Sequence, residues 1–187
     1  MSGRFDIRDT PLHGVYVLHR QRMGDHRGFL ERYFCADDLR PVVGRRSIAQ
    51  INVTRTVSRG TARGMHFQRP PHAEMKFVTC LRGRVFDVAL DLRRNSPTFL
   101  RWHAEVLSED DQSALVIPEG CAHGFQTLTD NCELLYLHTA PYVASAEGGI
   151  HPADPRVAIA WPEPIGELSG RDAGHAPLDD AFEGFTV

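Results

Sequence analysis

The segment Arg82-Gly83-Arg84-Val85-Phe86-Asp87-Val88-Ala89-Leu90-Asp91-Leu92 decides the fold class. After a turn at Arg82-Gly83, Phe86, Val88, Leu90 and Leu92 alternate with Asp87, Ala89 and Asp91. A period of two places successive side chains on opposite faces of a strand; a helix would space its apolar residues three and four apart. The same alternation recurs downstream. Past Asn95-Ser96-Pro97, Leu100, Trp102, Ala104 and Val106 alternate with Arg101, His103 and Glu105. Ser108-Glu109-Asp110-Asp111 then turns into Ala114–Ile117, Pro118-Glu119-Gly120 into His123–Leu128, and Asp130-Asn131 into Cys132–Thr139. Short strands joined by Gly, Pro, Asn and Asp turns predict an all-β protein built as an antiparallel sandwich or barrel. The barrel segment runs from about residue 48 to 139. An N-terminal arm, 1–47, precedes it, and a tail, 140–187, follows it. The tail is rich in Gly, Pro, Ala and Asp, and is expected to hold one or two short helical turns and to pack Trp161-Pro162 back onto the body. The 187 residues form one domain in this reading.

Composition narrows the function. With 21 basic against 24 acidic residues the net charge is −3, so no basic field points to nucleic acid. No apolar run reaches the ~18 residues a membrane span needs. The N-terminus is polar and lacks an apolar signal region, so a cytoplasmic protein is expected. Cys35, Cys80, Cys121 and Cys132 show no CxxC spacing and read as reduced thiols. The basic residues are unevenly divided: 20 are arginine, and Lys76 is the one lysine in the chain. Lys76 stands in an apolar run, where a compact ammonium has either survived by chance or is needed.

Strand parity groups the ionisable residues. Gly64, His66 and Gln68 share one face; so do Glu74, Lys76, Val78 and Cys80; so do Cys132, Leu134, Tyr136 and His138. Those faces point either into a ligand cavity or to solvent, and alternation alone does not choose. His66, within Arg63-Gly64-Met65-His66-Phe67-Gln68, is either a hydrogen-bonded core histidine or a base. His123, within Pro118-Glu119-Gly120-Cys121-Ala122-His123-Gly124-Phe125, either caps a turn or orients a ligand. His66, His72, Glu74 and His123 are of the types that hold a metal in a β-barrel. Compared with the usual cupin metal pattern, which these strings resemble, Gln68 stands in place of a second close histidine and Thr127 in place of an asparagine, so no bound metal is predicted. No GxSxG elbow and no phosphate-loop or dinucleotide fingerprint occurs. Phosphate recognition falls to arginines, with Arg27, Arg63 and Arg171 in glycine-marked segments.

Several strings together resemble the dTDP-4-dehydrorhamnose 3,5-epimerase family of cupin-fold sugar-nucleotide enzymes. They are Asp25-His26-Arg27-Gly28-Phe29, Gln50-Ile51-Asn52, Arg63–Gln68, Pro71-His72-Ala73-Glu74-Met75-Lys76, Val85–Arg93 with Ser96–Phe99, Pro118–Phe125, Leu135-Tyr136, Tyr142, and Asp154-Pro155 to Trp161-Pro162. The resemblance covers about residues 14–180 and implies a cupin-type jelly roll. It implies that His66 is the general base, oriented by Asp172, with Tyr136 the acid on the opposite face of the sugar. Lys76 would stabilise the enolate oxygen, and His123 would position the substrate. Arg27, Glu31, Gln50, Asn52, Arg63, Glu147 and Arg171 would hold the nucleotide, and Tyr142 would stack on its base. A homodimer with exchanged arms is implied too, and no metal or organic cofactor. The expected activity is inversion of C3 and C5 of a nucleotide-linked 4-keto-6-deoxyhexose, most directly dTDP-4-dehydro-6-deoxy-D-glucose to dTDP-4-dehydro-L-rhamnose. Alternatives are a single-site epimerase or ketoisomerase on a CDP- or GDP-linked sugar, or a non-catalytic sugar-nucleotide-binding cupin. The chain departs from the family pattern at Leu137-His138, where a lysine and a small residue are common, at the single aromatic Tyr142, in the short arm before Glu31, and at Gly149-Ile150-His151-Pro152. These positions bear on substrate identity more than on chemistry.

Overall fold

The computed structural model describes residues 4–187; residues 1–3, the start of the polar N-terminus, lie outside the described residues. Among the described residues, thirteen strands, two one-turn α-helices and one 3-10 turn make up the regular structure. In chain order the strands are β1 (Phe5–Asp9), β2 (Tyr16–Arg20), β3 (Met23–Asp25), β4 (Gly28–Leu30), β5 (Gln50–Thr56), β6 (Ala62–Gln68) and β7 (Lys76–Arg82). They continue with β8 (Arg84–Asp91), β9 (Trp102–Ser108), β10 (Ser113–Ile117), β11 (Cys121–Thr127), β12 (Cys132–His138) and β13 (Glu147–Gly149). The helices are α1 (Arg40–Val43) and α2 (Gly170–Ala173). A six-stranded sheet, ordered β1-β2-β10-β7-β12-β5, faces a five-stranded sheet, ordered β13-β6-β11-β8-β9. The paired strands in both sheets are antiparallel. The cupin jelly roll expected from the sequence is the architecture found, and no helix among the described residues is long and apolar enough to cross a membrane.

Alternation explains the layers. On β8, Val85 and Ala89 point between the sheets and pack with Val78, Leu115, Leu134 and Phe125. Phe86, Val88 and Leu90 point the other way, onto a second apolar layer that the tail supplies through Ile150, Val157, Ile159 and Trp161. The Trp161 ring sits edge-on to Phe86 at 6.0 Å, as the packing-back of Trp161-Pro162 requires. The outer face of the six-stranded sheet is covered likewise: Phe77, Val116 and Leu137 meet Leu39, Val43 and Phe34 from the segment before β5. Each fully buried Leu or Val contributes about 1.5–3 kcal/mol relative to exposure.

The sheet starts earlier than the 48–139 segment. β1 and β2, within the arm, form one side of the six-stranded sheet. Tyr16-Val17-Leu18-His19-Arg20 hides its strand character because both faces are covered. Val17 enters the inner core and Leu18 the outer layer, so no apolar–polar alternation remains. The tail also adds β13 to the edge of the five-stranded sheet beside β6. Its helical content is a 3-10 turn at Ala144–Ala146 and the single turn of α2.

Candidate active site

The register of the two sheets builds the site. β6 and β11 are neighbours, and His66 lies directly across from His123. A side chain at Gly64 would overlap the Cα of Gly124, so glycine here allows close approach of the two strands beside both histidines. The register slips between His123 and Phe125, a bulge of the kind that re-aims side chains. On the facing sheet Lys76 is paired with His138, and Tyr136 with Val78 on one side and Asn52 on the other. Between these walls lies a cavity of about 240 Å³, into which Arg63, His66, Lys76, His123, Tyr136 and His138 project. The faces left open by parity therefore point inward.

Three histidines that line this cavity, His66, His123 and His138, are each paired with a carboxylate. His66 Nε2 lies 2.7 Å from Asp172 Oδ1. Asp172 is carried by α2, whose Ser169 side chain caps the Asp172 N–H at 3.0 Å, and its second oxygen accepts the Gly64 N–H at 3.3 Å. Burial opposes the charged carboxylate, but the His66 hydrogen bond and charge, with help from Gly64 and Arg171, hold Asp172 below the usual carboxylate range. An ionised carboxylate only accepts, so the Nε2 proton faces Asp172 and the free lone pair of His66 sits on Nδ1. His123 Nε2 is 2.7 Å from Asp87 Oδ1, with both side chains buried. His138 Nδ1 is 3.0 Å from Glu74 Oε2. Glu74 Oε1 is 3.3 Å from Lys76 Nζ, and Lys76 also donates to the His66 carbonyl at 3.3 Å. Burial works against the Glu74 carboxylate, yet His138 and Lys76 keep it below its ordinary range. With two of its three N–H groups so placed, Lys76 keeps one for a ligand. Burial raises the Tyr136 phenol well above its ordinary value, so this hydroxyl holds its proton.

The cavity mouth is polar and exposed. Tyr142 donates from its hydroxyl to Glu147 at 2.9 Å and from its N–H to Gln50 at 2.9 Å. Arg171 donates to Glu147 at 2.8 Å, and Asn52 and Arg63 stand on the same rim. Burial pushes the thiols of Cys80 and Cys121 up to about 12, which leaves no thiolate nucleophile at either.

A sequence profile of the dTDP-4-dehydrorhamnose 3,5-epimerase family matches residues 9–180. The chain belongs to that family. It is 40% identical over 175 residues to the dTDP-4-dehydrorhamnose 3,5-epimerase of Salmonella typhimurium, covering 92% of this chain and 95% of that one. It is 38% identical over 176 residues to a dTDP-4-dehydrorhamnose 3-epimerase of Streptomyces niveus, covering 94% and 84%. Among solved structures, the Legionella pneumophila 3,5-epimerase in complex with dTDP-4-keto-L-rhamnose superposes with a TM-score of 0.89 at 34% identity, covering 98% of each chain. A 3'-monoepimerase from Streptomyces bikiniensis in complex with dTDP-quinovose superposes at 0.84 with 32% identity, covering 91% and 86%.

Against the family expectation the fold gathers His66, Lys76, His123 and Tyr136 inside the cavity, puts Asp172 behind His66, and sets Gln50, Asn52, Arg63, Tyr142, Glu147 and Arg171 around the mouth. Arg27 and Glu31 are not brought there by this chain's own fold. Arg27 sits on the exposed β3–β4 hairpin, paired with Asp25 at 2.6 Å. Glu31 is a buried counter-ion to Arg20 at 2.6 Å and Arg22 at 2.9 Å. The metal-type set His66, His72, Glu74 and His123 is not assembled either: His72 is exposed, and each of the other three is tied to a different partner. Sequence reasoning gave no role to Asp87 or His175. Asp87 carried a signal, a charge inside the apolar Phe86–Leu92 run; His175, in the irregular tail, carried none.

Proposed function

We propose that this chain inverts stereocentres α to the ketone of a nucleotide-linked 4-keto-6-deoxyhexose, converting dTDP-4-dehydro-6-deoxy-D-glucose to dTDP-4-dehydro-L-rhamnose. The observation that carries it is a base and an acid on opposite walls of one cavity with a cation in the same cavity: His66 on the five-stranded sheet, Tyr136 and Lys76 on the six-stranded sheet. His66 Nδ1 takes the proton next to the ketone, and Asp172 stabilises the imidazolium that forms. The developing oxyanion meets the free N–H of Lys76, a preorganised cation. Tyr136, protonated by virtue of its burial, returns a proton from the other side of the ring, which is what inversion requires. His123 positions the sugar. The inversion leaves His66 with one proton more and Tyr136 with one fewer; exchange with solvent resets both, so the step calls on no cofactor.

The polar mouth takes the nucleotide: Arg63 and Arg171 the pyrophosphate, Gln50, Asn52 and Glu147 its polar edges, Tyr142 the base. Arg27 and Glu31 join them if a second copy lends its arm. A homodimer suits the exposed apolar side chains Ile51, Val53 and Val57 at the β5 edge and Met23, Phe29 and Leu30 on the hairpin, each more than half exposed in the single chain. Light scattering at micromolar concentration should give twice the chain mass; a monomer would remove the arm residues from the site.

Proton NMR of the dTDP-4-keto-6-deoxyglucose substrate in D₂O tests the activity, against His66→Ala. Loss of both the C3 and C5 proton signals with the wild type alone is expected. Since relatives include a 3-epimerase and a 3'-monoepimerase, exchange at C3 alone is the second reading. No exchange, with nucleotide binding retained, would leave a binding protein.

A further inference from the structure

His175 is a histidine that the epimerase reaction does not use. Its ring meets His66 edge-on, with centroids 6.2 Å apart. It fits because residue 149 on β13 is glycine; a Cβ there would overlap the imidazole Nε2. Its Nε2 is buried yet has no hydrogen-bond partner, a condition uncommon enough in native proteins to ask for a ligand. One donor atom each from His66, Asp172 and His175 lies within 4.8 Å of the others. We infer that His66, Asp172 and His175 form an inhibitory site for a borderline divalent transition metal of the zinc, cobalt or nickel class.

The donor set is two imidazoles and one carboxylate, which suits those ions and is poor for calcium or magnesium. The ion takes the place of the proton between His66 Nε2 and Asp172 Oδ1, whose 2.7 Å separation widens to admit it, and that proton passes to Nδ1 of the same neutral ring, so His66 releases none. It also satisfies the orphaned Nε2 of His175. Arg171 Nη2, 3.2 Å from His66 Nε2, is the group that must yield. Its side chain is half exposed and bonded to Glu147 at 2.8 Å, so it turns outward on that partner, giving up its 3.6 Å contact with Asp172 to the ion. Inhibition follows from the imidazole tautomer. In the metal-free pair Nε2 carries the proton and Nδ1 has the free lone pair. With a metal on Nε2 the neutral ring must carry its proton on Nδ1, and His66 has no lone pair left to accept the substrate proton.

The inhibitory consequence rests on the epimerase reading; the site itself does not, and the experiment separates them. Metal-free protein is titrated with CoCl₂, following the visible d–d bands of bound cobalt, and with ZnCl₂ by calorimetry, for the wild type, His175→Ala and Gly149→Ala. One equivalent is expected to bind the wild type and to bind at least tenfold more weakly in both variants. In turnover assays, Zn²⁺ should inhibit the wild type reversibly on adding EDTA. His175→Ala should keep its metal-free rate and need at least tenfold more Zn²⁺ for the same inhibition. Equal binding by wild type and His175→Ala, or binding that survives His66→Ala undiminished, overturns the site. Site-specific binding without inhibition of an active enzyme overturns the tautomer account. Binding as expected in a protein that does not turn over the dTDP sugar upholds the site and defeats the epimerase reading alone.

Discussion

His66–Asp172 and His123–Asp87 are the same chemical pair, at the same 2.7 Å separation, on adjacent strands and directly opposite each other. They differ in access. The His66 side chain is 24% exposed, His123 only 6%, and Asp87 is wholly buried with its second oxygen lacking any partner. Asp172 arrives from the tail on a capped helical turn, whereas Asp87 projects from the middle of β8. A base must reach its substrate and turn over its proton; a buried pair whose carboxylate has one unsatisfied oxygen instead fixes an imidazole in a single orientation. On the proposed reading one pair works and the other holds, and the difference lies in the exposure of the imidazole, since both carboxylates are buried.

That division is most exposed to failure at the two histidines. His66→Ala should lower kcat by about 10³–10⁴, at the upper end for a general base, with nucleotide affinity within about threefold. His123→Ala should cost only about 10–10², felt mainly in KM. Steady-state kinetics on both decides it: equal kcat losses would mean that His123 also moves protons, and the contrast drawn from burial would fail.

Lys76 sharpens the comparison from the opposite wall. Lys76→Arg keeps the charge but replaces a point donor with a planar fork that cannot meet Glu74, the His66 carbonyl and an oxyanion together. A loss of about 10²–10³ in kcat is expected, with the melting temperature nearly unchanged. Near-normal turnover would show that the cation and not its geometry matters. Asp172→Asn comes next, with a smaller kcat loss, because the amide can still accept from the ring but no longer stabilises imidazolium. Measuring C3 exchange in D₂O for this variant separates slow proton removal from slow return.

Much of this was legible in the chain. The alternation in Phe86–Leu92 and the turns that follow it are local, and β8 to β12 lie where that pattern ran. Lys76 as the one lysine, and His66, Tyr136 and His123 on strand faces, were visible as candidates, although only the three-dimensional register could show that those faces turn inward. β2 was hidden because both of its faces are covered. Asp172 was reachable only through family resemblance, since its contact with His66 joins residues 106 apart in the chain, and no local rule spans that. His175 was invisible for a related reason: its meaning depends on Gly149 making room for the ring.

The smallest effect uses a carboxylate that holds structure alone. Asp91 is fully buried at the end of β8 and accepts from Arg93, Ser96 and Thr98. Burial would raise its pKa, but those donors prevail and hold it at about 2, against an ordinary 3.8. A depressed carboxyl stabilises the fold above its unfolded value and loses that contribution as pH falls through its folded value. The window here is therefore between about 4 and about 2, and the contribution at neutral pH is about 2 kcal/mol. Asp91→Asn should accordingly lower the melting temperature at neutral pH by about 4–8 °C while flattening its decline across the acid window. Its turnover should match the wild type at permissive temperature, because Asp91 lies outside the cavity. If Asp91→Asn instead slowed turnover as Asp172→Asn does, contact with a histidine open to the cavity would not be what separates the carboxylate that works from one that only holds structure.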